Sequence, residues 1–306
     1  MRMQKNTKSS PIVARMVKVM IGVFSMLPIR SMRHTGIVIG SLLWRLPNRL
    51  RDISVRNVNR CFPELTKEAR IVVVRQSLTS TGRNAAEAGA MWRWSKEKLD
   101  RLAAGTENED IFRRGVDRGK GVLLLAPHLG NWEFAASYIS ARYQAMALYR
   151  PPRIAELDLL IRESRERFGG SVVPASGAGL RTFARAIAAG QTVALLPDQE
   201  PLKQHGVFAP FFGTAALTMV LVRHLVRRYD PTVVFLFAER QVDGRFCLRF
   251  RQAPEGLGDR DPIRAATQLN LGVEECVRMC PSQYMWSYRR FRTRPPGEGK
   301  PQSGPF

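Results

Sequence analysis

The sequence predicts an α/β protein: a mixed, mostly parallel sheet flanked by helices, preceded by an amino-terminal, membrane-associating helical region. Three observations predict this class. Short apolar runs of strand length alternate with helical segments between about residues 121 and 197. Polar or charged residues follow directly after several of these runs. Near the amino terminus, two longer apolar runs are interrupted by basic residues.

The composition allows a substantial core and implies a negatively charged partner. The chain has 306 residues, of which 44% are hydrophobic, enough for one large domain or two. Its 48 Lys and Arg residues against 26 Asp and Glu residues give a formal net charge of +22. This excess favours nucleic acid, an acidic protein or an anionic membrane surface as partner. The 4 cysteines have neither a disulfide framework nor zinc-site spacing, so we predict reduced thiols and no metal.

Residues 1–46 are predicted to form the membrane-associating segment. A basic leader precedes an apolar run over residues 11–27, and a second apolar run covers residues 35–46. Both are shorter than the roughly 20 uninterrupted apolar residues that a membrane span needs. Helices lying in the membrane interface, or one tilted anchor, agree better with this pattern. The alternative is an amphipathic helix that packs on a soluble domain.

A larger domain is predicted over residues 47–295, followed by a Pro- and Gly-rich tail over residues 296–306 that is predicted to be disordered. The domain begins with helices. Pro63 ends one helix, and Thr66 provides the cap of the next, which is predicted to reach about Trp94.

The central motif is the junction between the apolar run over residues 122–126 and the helix that follows it. The run has the length and content of a strand buried on both faces, and Asn131 is a favourable cap for a helix reaching about residue 142. His128 then lies in the turn. Glu133 lies in the first helical turn, from which its carboxylate could reach the imidazole. Such a pair can remove the proton of a hydroxyl group; the alternative is a hydrogen-bonded surface pair without a chemical role.

The following strands add two further candidate residues. Arg150 follows a strand over residues 145–149, and its guanidinium suits phosphate or carboxylate. Asp198 follows a strand over residues 192–196. Parallel sheets bind ligands at the carboxyl ends of their strands, where these two residues and His128 are expected to lie. Between them the sequence predicts a helix over residues 154–168, a strand over residues 171–174 and a helix over residues 178–189.

The last third of the domain carries aromatic and basic candidates. Phe211 and Phe212 lie in a segment that either covers the core or lines a hydrophobic channel, and a helix over residues 215–229 is predicted after it. A hairpin at the sheet edge is predicted for residues 232–239 and 246–251, followed by a helix over residues 263–279. The chain then carries Arg289 and Arg290 in a basic, aromatic segment.

Several motifs occur in a characteristic order. They are Ala-Pro-His-Leu-Gly-Asn-Trp-Glu from residue 126, Tyr-Arg-Pro from residue 149, Leu-Pro-Asp-Gln from residue 196, Pro-Phe-Phe-Gly from residue 210 and Met-Trp-x-x-Arg-Arg-Phe from residue 285. Together they resemble the bacterial lauroyl/myristoyl acyltransferases of lipid A biosynthesis, members of the lysophospholipid acyltransferase superfamily. The resemblance extends over about residues 10–295.

The resemblance implies a glycerolipid acyltransferase-like fold, with residues 47–295 as the acyltransferase domain. It further implies an enzyme of the cell inner membrane whose active site faces the cytoplasm. The enzyme would move a fatty acyl group from acyl carrier protein to a hydroxyl group of a lipid A precursor. Because the donor thioester is already activated, no cofactor is expected.

Matching to the family motifs implies roles for individual residues. His128 would be the general base and Glu133 its partner, and Arg150 and Asp198 fall in motif blocks associated with acceptor binding and site architecture. The other candidates for substrate binding are Phe211, Phe212, Arg289 and Arg290. Glu200, where many relatives have Asp, and Tyr288, where His is usual, depart from the family pattern and bear on which lipid and chain length are used.

Other functions remain as alternatives. The acceptor could be another lysolipid or an aminolipid, or the chain could be a non-catalytic basic protein that binds membranes or nucleic acid. A nucleic-acid partner is not predicted, because the basic residues are spread along the chain and no helix-turn-helix, zinc-finger or ribonucleoprotein motif occurs. The sequence also lacks a nucleophile elbow, a P-loop and a complete dinucleotide-binding fingerprint.

Overall fold

The computed structural model describes residues 11–152 and 155–297; the basic leader and most of the predicted tail lie outside these ranges. The described helices are α1 Pro11–Met26, α2 Ile29–Arg45, α3 Arg49–Cys61, α4 Lys67–Arg93, α5 Lys96–Asp100, α6 Glu109–Asp117, α7 Trp132–Tyr143, α8 Ala155–Glu166, α9 Gly177–Ala188, α10 Leu221–Tyr229 and α11 Pro262–Met279. The strands are β1 Ala103–Glu107, β2 Val122–Leu125, β3 Met146–Tyr149, β4 Ser171–Pro174, β5 Thr192–Leu195, β6 Gly206–Phe211, β7 Thr214–Met219, β8 Thr232–Arg240 and β9 Phe246–Gln252.

The main sheet has seven strands in the order β1-β9-β8-β2-β5-β3-β4. Strands β8, β2, β5, β3 and β4 are all parallel, β9 is antiparallel to β8, and β1 is parallel to β9. The predicted mixed, mostly parallel sheet flanked by helices is therefore confirmed. Because β2 and β5 are neighbours that run in the same direction, the residues after Leu125 and Leu195 emerge at the same edge of the sheet.

Strand β2 lies in the centre of the sheet, and helices cover it on both faces. Its four residues, Val122–Leu125, are all buried. Leu123 and Leu125 pack in one core with residues of α3, α9, α10 and α11, whereas Val122 and Leu124 pack in a second core with residues of α4, α5, α6 and α7. The alternation of side chains along a strand explains why a continuous apolar run is needed here.

The segment after the Phe211–Phe212 pair differs from the prediction. Instead of beginning a helix, residues 214–219 form β7, which pairs antiparallel with β6, and the helix begins only at Leu221. Phe212 and Gly213 make the tight turn between the strands, with φ values of 48° and 70°. Two consecutive left-handed residues are typical of such hairpins, but Phe-Gly is a weaker sequence signal than Asn-Gly, so the sequence did not reveal the turn.

The predicted hairpin β8–β9 is present, but its predicted position at the sheet edge is wrong. Strand β8 lies inside the sheet between β9 and β2, and β1 covers the outer side of β9. Strand β1 was missed because the sequence Ala-Ala-Gly-Thr-Glu has neither an apolar run nor a β-branched pattern.

Helices α1 and α2 occupy the region predicted to associate with membranes, and α2 packs closely on α4. A Cβ atom added to Gly36 would lie 2.5 Å from the Cα atom of Arg83, and one added to Gly40 would lie 2.4 Å from the Cα atom of Thr79. Glycine is therefore required at this crossing. Within residues 11–152 and 155–297, none of the helices combines the length and the apolar content needed to cross a bilayer.

Candidate active site

The loop between β2 and α7 carries His128, and its backbone is fixed on both sides. The Asn131 side chain accepts a hydrogen bond from the Phe134 N–H group at 3.0 Å, so the predicted helix cap is confirmed. Gly130 has a φ of 62°, and a Cβ atom there would lie 1.9 Å from the carbonyl oxygen of Ala238. The Asn131 N–H group donates to that same oxygen at 2.9 Å. Only glycine permits this approach of the loop to β8.

Asp198, which follows β5, holds the His128 ring. One carboxylate oxygen of Asp198 lies 2.8 Å from Nδ1 of His128, and the other accepts the backbone N–H of His128 at 2.9 Å. Both residues are buried, with 9% of His128 and 3% of Asp198 exposed. The two contacts fix the ring plane and place the Nδ1 proton towards the carboxylate, which leaves Nε2 as the basic nitrogen.

The carboxylate of Asp198 is held in its ionised form. Burial raises the pKa of Asp198, but the charge of His128 and the hydrogen bonds from it outweigh burial, so this pKa lies below its ordinary value of 3.8. Tyr284 is buried beside it. Burial and the nearby Asp198 charge raise the pKa of Tyr284 well above 10, which keeps the phenol neutral. Asp198 can therefore stabilise a positive imidazolium when His128 takes a proton.

The His128 ring contacts two further side chains, one of them at its basic nitrogen. Nε2 of His128 lies 3.1 Å from Nε2 of Gln199, the residue that directly follows Asp198. The Trp132 ring stands edge-on to the imidazole, with ring centroids 5.2 Å apart. The aromatic contact restricts the imidazole on one side while the amide occupies the direction in which a proton would arrive.

Glu133 does not orient the His128 ring in this structure, contrary to the sequence-based expectation. Its carboxylate accepts hydrogen bonds from Trp92 Nε1 at 3.1 Å and from Arg165, whose NH2 group lies 2.5 Å away. Burial raises the pKa of Glu133, but the Arg165 charge and hydrogen bond, the Trp92 hydrogen bond and the charge of the nearby His128 together outweigh burial and lower it below 4.5. The place expected for Glu133 is taken by Asp198, because the start of α7 turns the Glu133 side chain towards α4 and α8. Its catalytic role remains a prediction.

A buried ionic network supports the loop from the opposite side. The Glu87 carboxylate, on α4, accepts hydrogen bonds from Arg240 at 2.6 and 2.7 Å, from Arg33 at 3.1 Å and from the Asn131 side chain at 3.0 Å. Asn84, one turn earlier on α4, donates to the Gly130 carbonyl at 2.7 Å. The network therefore connects α2, α4 and β8 to the two loop residues that follow Leu129. Glu87 was missed because an acid within an Ala- and Gly-rich helix gives no spacing signal.

The remaining predicted substrate-binding residues are not gathered at one point. Arg150 is exposed at the end of β3, which lies beyond β5 at the same edge of the sheet as His128. Phe211 and Phe212 are buried, and Phe212 stands 5.1 Å from the Phe62 ring and 6.0 Å from the Trp286 ring. These contacts agree with the alternative in which both phenylalanines cover the core.

The two consecutive arginines near the carboxyl terminus have different environments. Arg289 is exposed, whereas only 3% of Arg290 is exposed. Arg290 donates to the Leu217 carbonyl at 2.7 Å, to Thr218 Oγ1 at 2.9 Å and to Asn270 Oδ1 at 3.1 Å. Burial lowers the pKa of Arg290. Arg290 thus attaches the carboxyl-terminal segment to β7 and α11.

The two departures from the family pattern contact each other. The Tyr288 hydroxyl oxygen accepts the Glu200 N–H group at 2.9 Å. The buried Glu200 carboxylate accepts the Thr293 N–H group at 2.9 Å and Arg292 Nε at 3.2 Å. Glu200 therefore anchors the carboxyl-terminal segment directly beside the strand-end loop that holds Asp198.

Comparison with known proteins agrees with the motifs. A family model described as bacterial lipid A biosynthesis acyltransferase matches residues 5–293. The chain is 30% identical over 274 residues to a lipid A biosynthesis lauroyltransferase of Escherichia coli (strain K12), which covers 89% of this chain and 88% of the relative. It is 26% identical over 286 residues to a lipid A biosynthesis palmitoleoyltransferase of the same organism, with the same coverage. A lipid A biosynthesis acyltransferase of Haemophilus influenzae is 28% identical over 274 residues, covering 88% of this chain and 86% of the relative.

Proposed function

The chain belongs to the bacterial lipid A biosynthesis acyltransferase family, and on this premise we propose that it transfers a fatty acyl group from acyl carrier protein to a hydroxyl group of a lipid A precursor. The observation that carries the proposal is the buried His128–Asp198 pair at the carboxyl ends of β2 and β5. An imidazole with one free nitrogen, oriented by a carboxylate, is the arrangement that makes a hydroxyl group nucleophilic.

The reaction is a displacement at the thioester carbonyl carbon. One proton moves to His128 as the acceptor attacks, and one returns from His128 to the leaving sulfur. The acceptor hydroxyl donates its proton to Nε2 of His128 while its oxygen attacks the thioester carbonyl carbon. Asp198 stabilises the imidazolium that forms. The carbon–sulfur bond then breaks, the thiolate leaves, and the imidazolium returns its proton to the sulfur. The ester is formed directly, and no acyl-enzyme is required.

Glu133 acts in this proposal as a positioning residue. Its bonds to Trp92 and Arg165 hold the first turn of α7, next to the loop that carries His128. The positive end of the α7 dipole, or a nearby arginine, would stabilise the oxyanion of the tetrahedral intermediate.

The charge of the chain suits both proposed substrates. Acyl carrier protein is acidic and the acceptor is phosphorylated, so a protein with a net charge of +22 attracts each of them. Arg150 is suited to an acceptor phosphate because it is exposed and follows a strand at the same sheet edge as His128. Arg289 is suited to the acidic donor because it is exposed in the basic carboxyl-terminal segment.

We place the protein at the cytoplasmic face of the inner membrane, attached by α1 and α2. Nine of the large apolar side chains that the described residues expose lie in these helices or at the end of α2: Ile12, Met16, Val19, Met20, Val23, Met26, Val38, Leu42 and Leu46. Arg15, Lys18, Arg30 and Arg45 are exposed in the same region. Apolar burial supplemented by contacts to anionic lipid should resist extraction by salt. Complete release from membranes by high salt without detergent would contradict this attachment.

The proposed function is tested with radiolabelled lauroyl-acyl carrier protein and a phosphorylated lipid A precursor, incubated with the purified full chain. Wild-type protein should form the acylated lipid. His128→Ala should reduce turnover by about 10²–10⁴-fold, the usual contribution of a general base. His224→Ala, at an exposed position on α10, is the matched control and should behave as wild type. Transfer to a lysophospholipid but not to the lipid A precursor would refute the acceptor assignment.

A further inference from the structure

We propose that Gln199 holds the place of the acceptor hydroxyl at His128 and keeps water from being activated there until the acceptor displaces its amide. This inference rests on the proposed function, because it concerns the same basic nitrogen. It assigns a role to a residue that the transfer mechanism does not use. Its consequence is that Gln199 determines whether the acyl group is transferred or hydrolysed.

The hydrogen bond between Gln199 and His128 runs in one direction, from the amide to the imidazole. The proton on Nδ1 of His128 points towards Asp198. Nε2 therefore carries no proton and has a single lone pair in the ring plane. The amide nitrogen of Gln199 lies 3.1 Å from it. An N–H group of the amide therefore donates to Nε2, because the amide nitrogen is a donor only and cannot accept a hydrogen bond. The reverse amide orientation would turn a carbonyl oxygen towards the lone pair.

Water and the acceptor hydroxyl compete with the Gln199 amide for the lone pair of Nε2. A hydroxyl group can lose its proton to Nε2 only from the position that the amide occupies, because one in-plane lone pair accepts one strong hydrogen bond. Water and the acceptor must both displace the amide. The acceptor is delivered by the binding energy of a large phosphorylated lipid, whereas a water molecule brings no such energy. The amide therefore discriminates between them.

The side chain of Gln199 is held by fewer contacts than those of its two neighbours. Asp198 is bound to His128, and Glu200 is bound to Thr293 and Arg292. Gln199 is half-buried between these two anchored carboxylates, and among residues 11–152 and 155–297 its side chain has His128 as its hydrogen-bonding partner. A change of rotamer moves the amide away without breaking any other bond of its side chain. The backbone on both sides stays fixed.

The test compares wild type with Gln199→Met, which keeps the length of the side chain but removes the N–H donor. Hydrolysis of radiolabelled lauroyl-acyl carrier protein without acceptor should rise about three- to tenfold, the factor that one ordinary hydrogen bond contributes. Transfer at saturating lipid A precursor should change by less than about twofold, because bound acceptor has by then already taken the place of the residue 199 side chain at Nε2 in both proteins. Gln252→Met, at the end of β9 that pairs with the amino-terminal half of β8, is the matched control and should leave both rates unchanged.

A second measurement does not depend on acyl transfer. The lone pair of a free imidazole nitrogen such as Nε2 attacks a carbonyl carbon of diethyl pyrocarbonate, the ethyl carbonate anion leaves, and the acylated ring loses its Nδ1 proton to solvent. The rate of labelling at His128, followed by peptide mass spectrometry, should rise in Gln199→Met by about the same three- to tenfold factor. If Gln199→Met does not fold, Gln199→Asn replaces it, because an amide shorter by one methylene group no longer reaches Nε2.

The outcomes separate this inference from the proposed function. Faster hydrolysis and faster labelling in a folded variant support the role of Gln199. Unchanged or slower rates of both, with wild-type protein active in transfer, overturn it. If wild-type protein transfers no acyl group to any acceptor, the proposed function fails, and the labelling rate alone decides whether Gln199 shields His128.

Discussion

The buried carboxylate of Asp198 and the partly exposed carboxylate of Glu133 both lie near His128, but they differ in the group that balances their charge. The partner of Asp198 is the imidazole itself, at 2.8 Å, whereas the partners of Glu133 are the permanent cation Arg165 and the Trp92 ring nitrogen. A carboxylate already neutralised by a guanidinium gains little when the imidazole becomes charged. Asp198 gains a full ion pair at that moment, and so lowers the energy of the imidazolium. The identity of the partner, rather than the spacing in the sequence, separates the two roles.

The strongest test of this difference is the pair of variants Asp198→Asn and Glu133→Gln. In Asp198→Asn the amide no longer carries the charge that fixes the productive tautomer, so kcat should fall by about 10²–10⁴-fold. In Glu133→Gln the reacting nitrogen keeps its orientation, so kcat should fall by less than about tenfold. Both are measured in the acyl-transfer assay at saturating substrates.

The folded state of each variant is verified by circular dichroism. A conservative control, Asp198→Glu, retains the charge and should recover part of the activity. If Glu133→Gln instead had the larger effect, the family-based assignment of Glu133 as the partner of His128 would be restored.

A second test asks whether the loop must approach β8 for the His128–Asp198 pair to form. Gly130→Ala introduces a Cβ atom 1.9 Å from the Ala238 carbonyl oxygen at a left-handed position. The strain and the clash together should lower the free energy of unfolding by about 2–5 kcal/mol and reduce kcat. Urea unfolding at neutral pH measures the loss.

The matched control is Gly119→Ala, which has a similar φ of 73° but open space around the new Cβ atom. It should cost only the strain, about 1–2 kcal/mol, and leave kcat unchanged. Equal losses in the two variants would show that the close approach to β8 contributes nothing.

The central part of the fold could be predicted because its signals are local. Strand β2 is a continuous apolar run, Asn131 and Thr66 are capping residues, and the two helices before Leu46 coincide with apolar runs. Strands β1 and β7 could not be predicted, because each becomes a strand only through its partner. Strand β7 has an apolar sequence that also suits a helix, and the tight turn at Phe212 decides between them.

The candidate site could be predicted only at its strand ends. His128 and Asp198 both follow buried strands, so the sequence placed them at one edge of the sheet, and the structure brings them together. Their pairing is non-local, across 70 residues, and no spacing rule indicates it. Glu133 is near His128 in sequence, but the direction of its side chain depends on Arg165, on a different helix.

A third test measures the Glu133–Arg165 pair as a structural contact. Glu133→Gln leaves the largely buried Arg165 without its counter-charge, and Arg165→Met leaves Glu133 without its own. Each change should lower the free energy of unfolding by about 1–3 kcal/mol. This is less than for a fully buried pair, because solvent partly screens the charge that is left without a partner. The double variant should lose less than the sum of the two by about 1 kcal/mol or more. If the double variant loses as much stability as the two single variants together, Glu133 and Arg165 do not interact directly.

The pH dependence gives an independent check on this pair. Arg165 holds the pKa of Glu133 below its ordinary value of 4.5, so the stability it contributes is present above pH 4.5 and is lost as the pH falls through the lowered pKa. Wild-type protein should therefore lose stability on acidification below pH 4.5 more steeply than Glu133→Gln, by at most about 1.4 kcal/mol per pH unit. If the free energies of unfolding of wild type and Glu133→Gln changed in parallel with pH, the lowered pKa of Glu133 would be contradicted.

The smallest expected effect extends the comparison to the neighbouring arginines Arg289 and Arg290. Arg290 is buried and bonded to β7 and α11, so it stabilises the fold, whereas the exposed Arg289 can attract an acidic donor protein. Arg289→Glu should lower kcat/KM for lauroyl-acyl carrier protein by about three- to tenfold at low ionic strength, with little change in kcat, and the difference should fade as salt shortens the Debye length below about 10 Å. Arg292 is unsuitable for this test because it pairs with the buried Glu200.

The control for net charge is Arg264→Glu, which makes the same change at a 77% exposed side chain on α11. If steering depends on where the charge lies, Arg264→Glu should retain wild-type kcat/KM at every salt concentration, while Arg289→Glu does not. Equal losses in both variants would mean that the donor responds to the total charge of the protein. No loss in either, or a wild-type kcat/KM that does not depend on salt, would place the docking surface for the carrier outside the Arg289 segment.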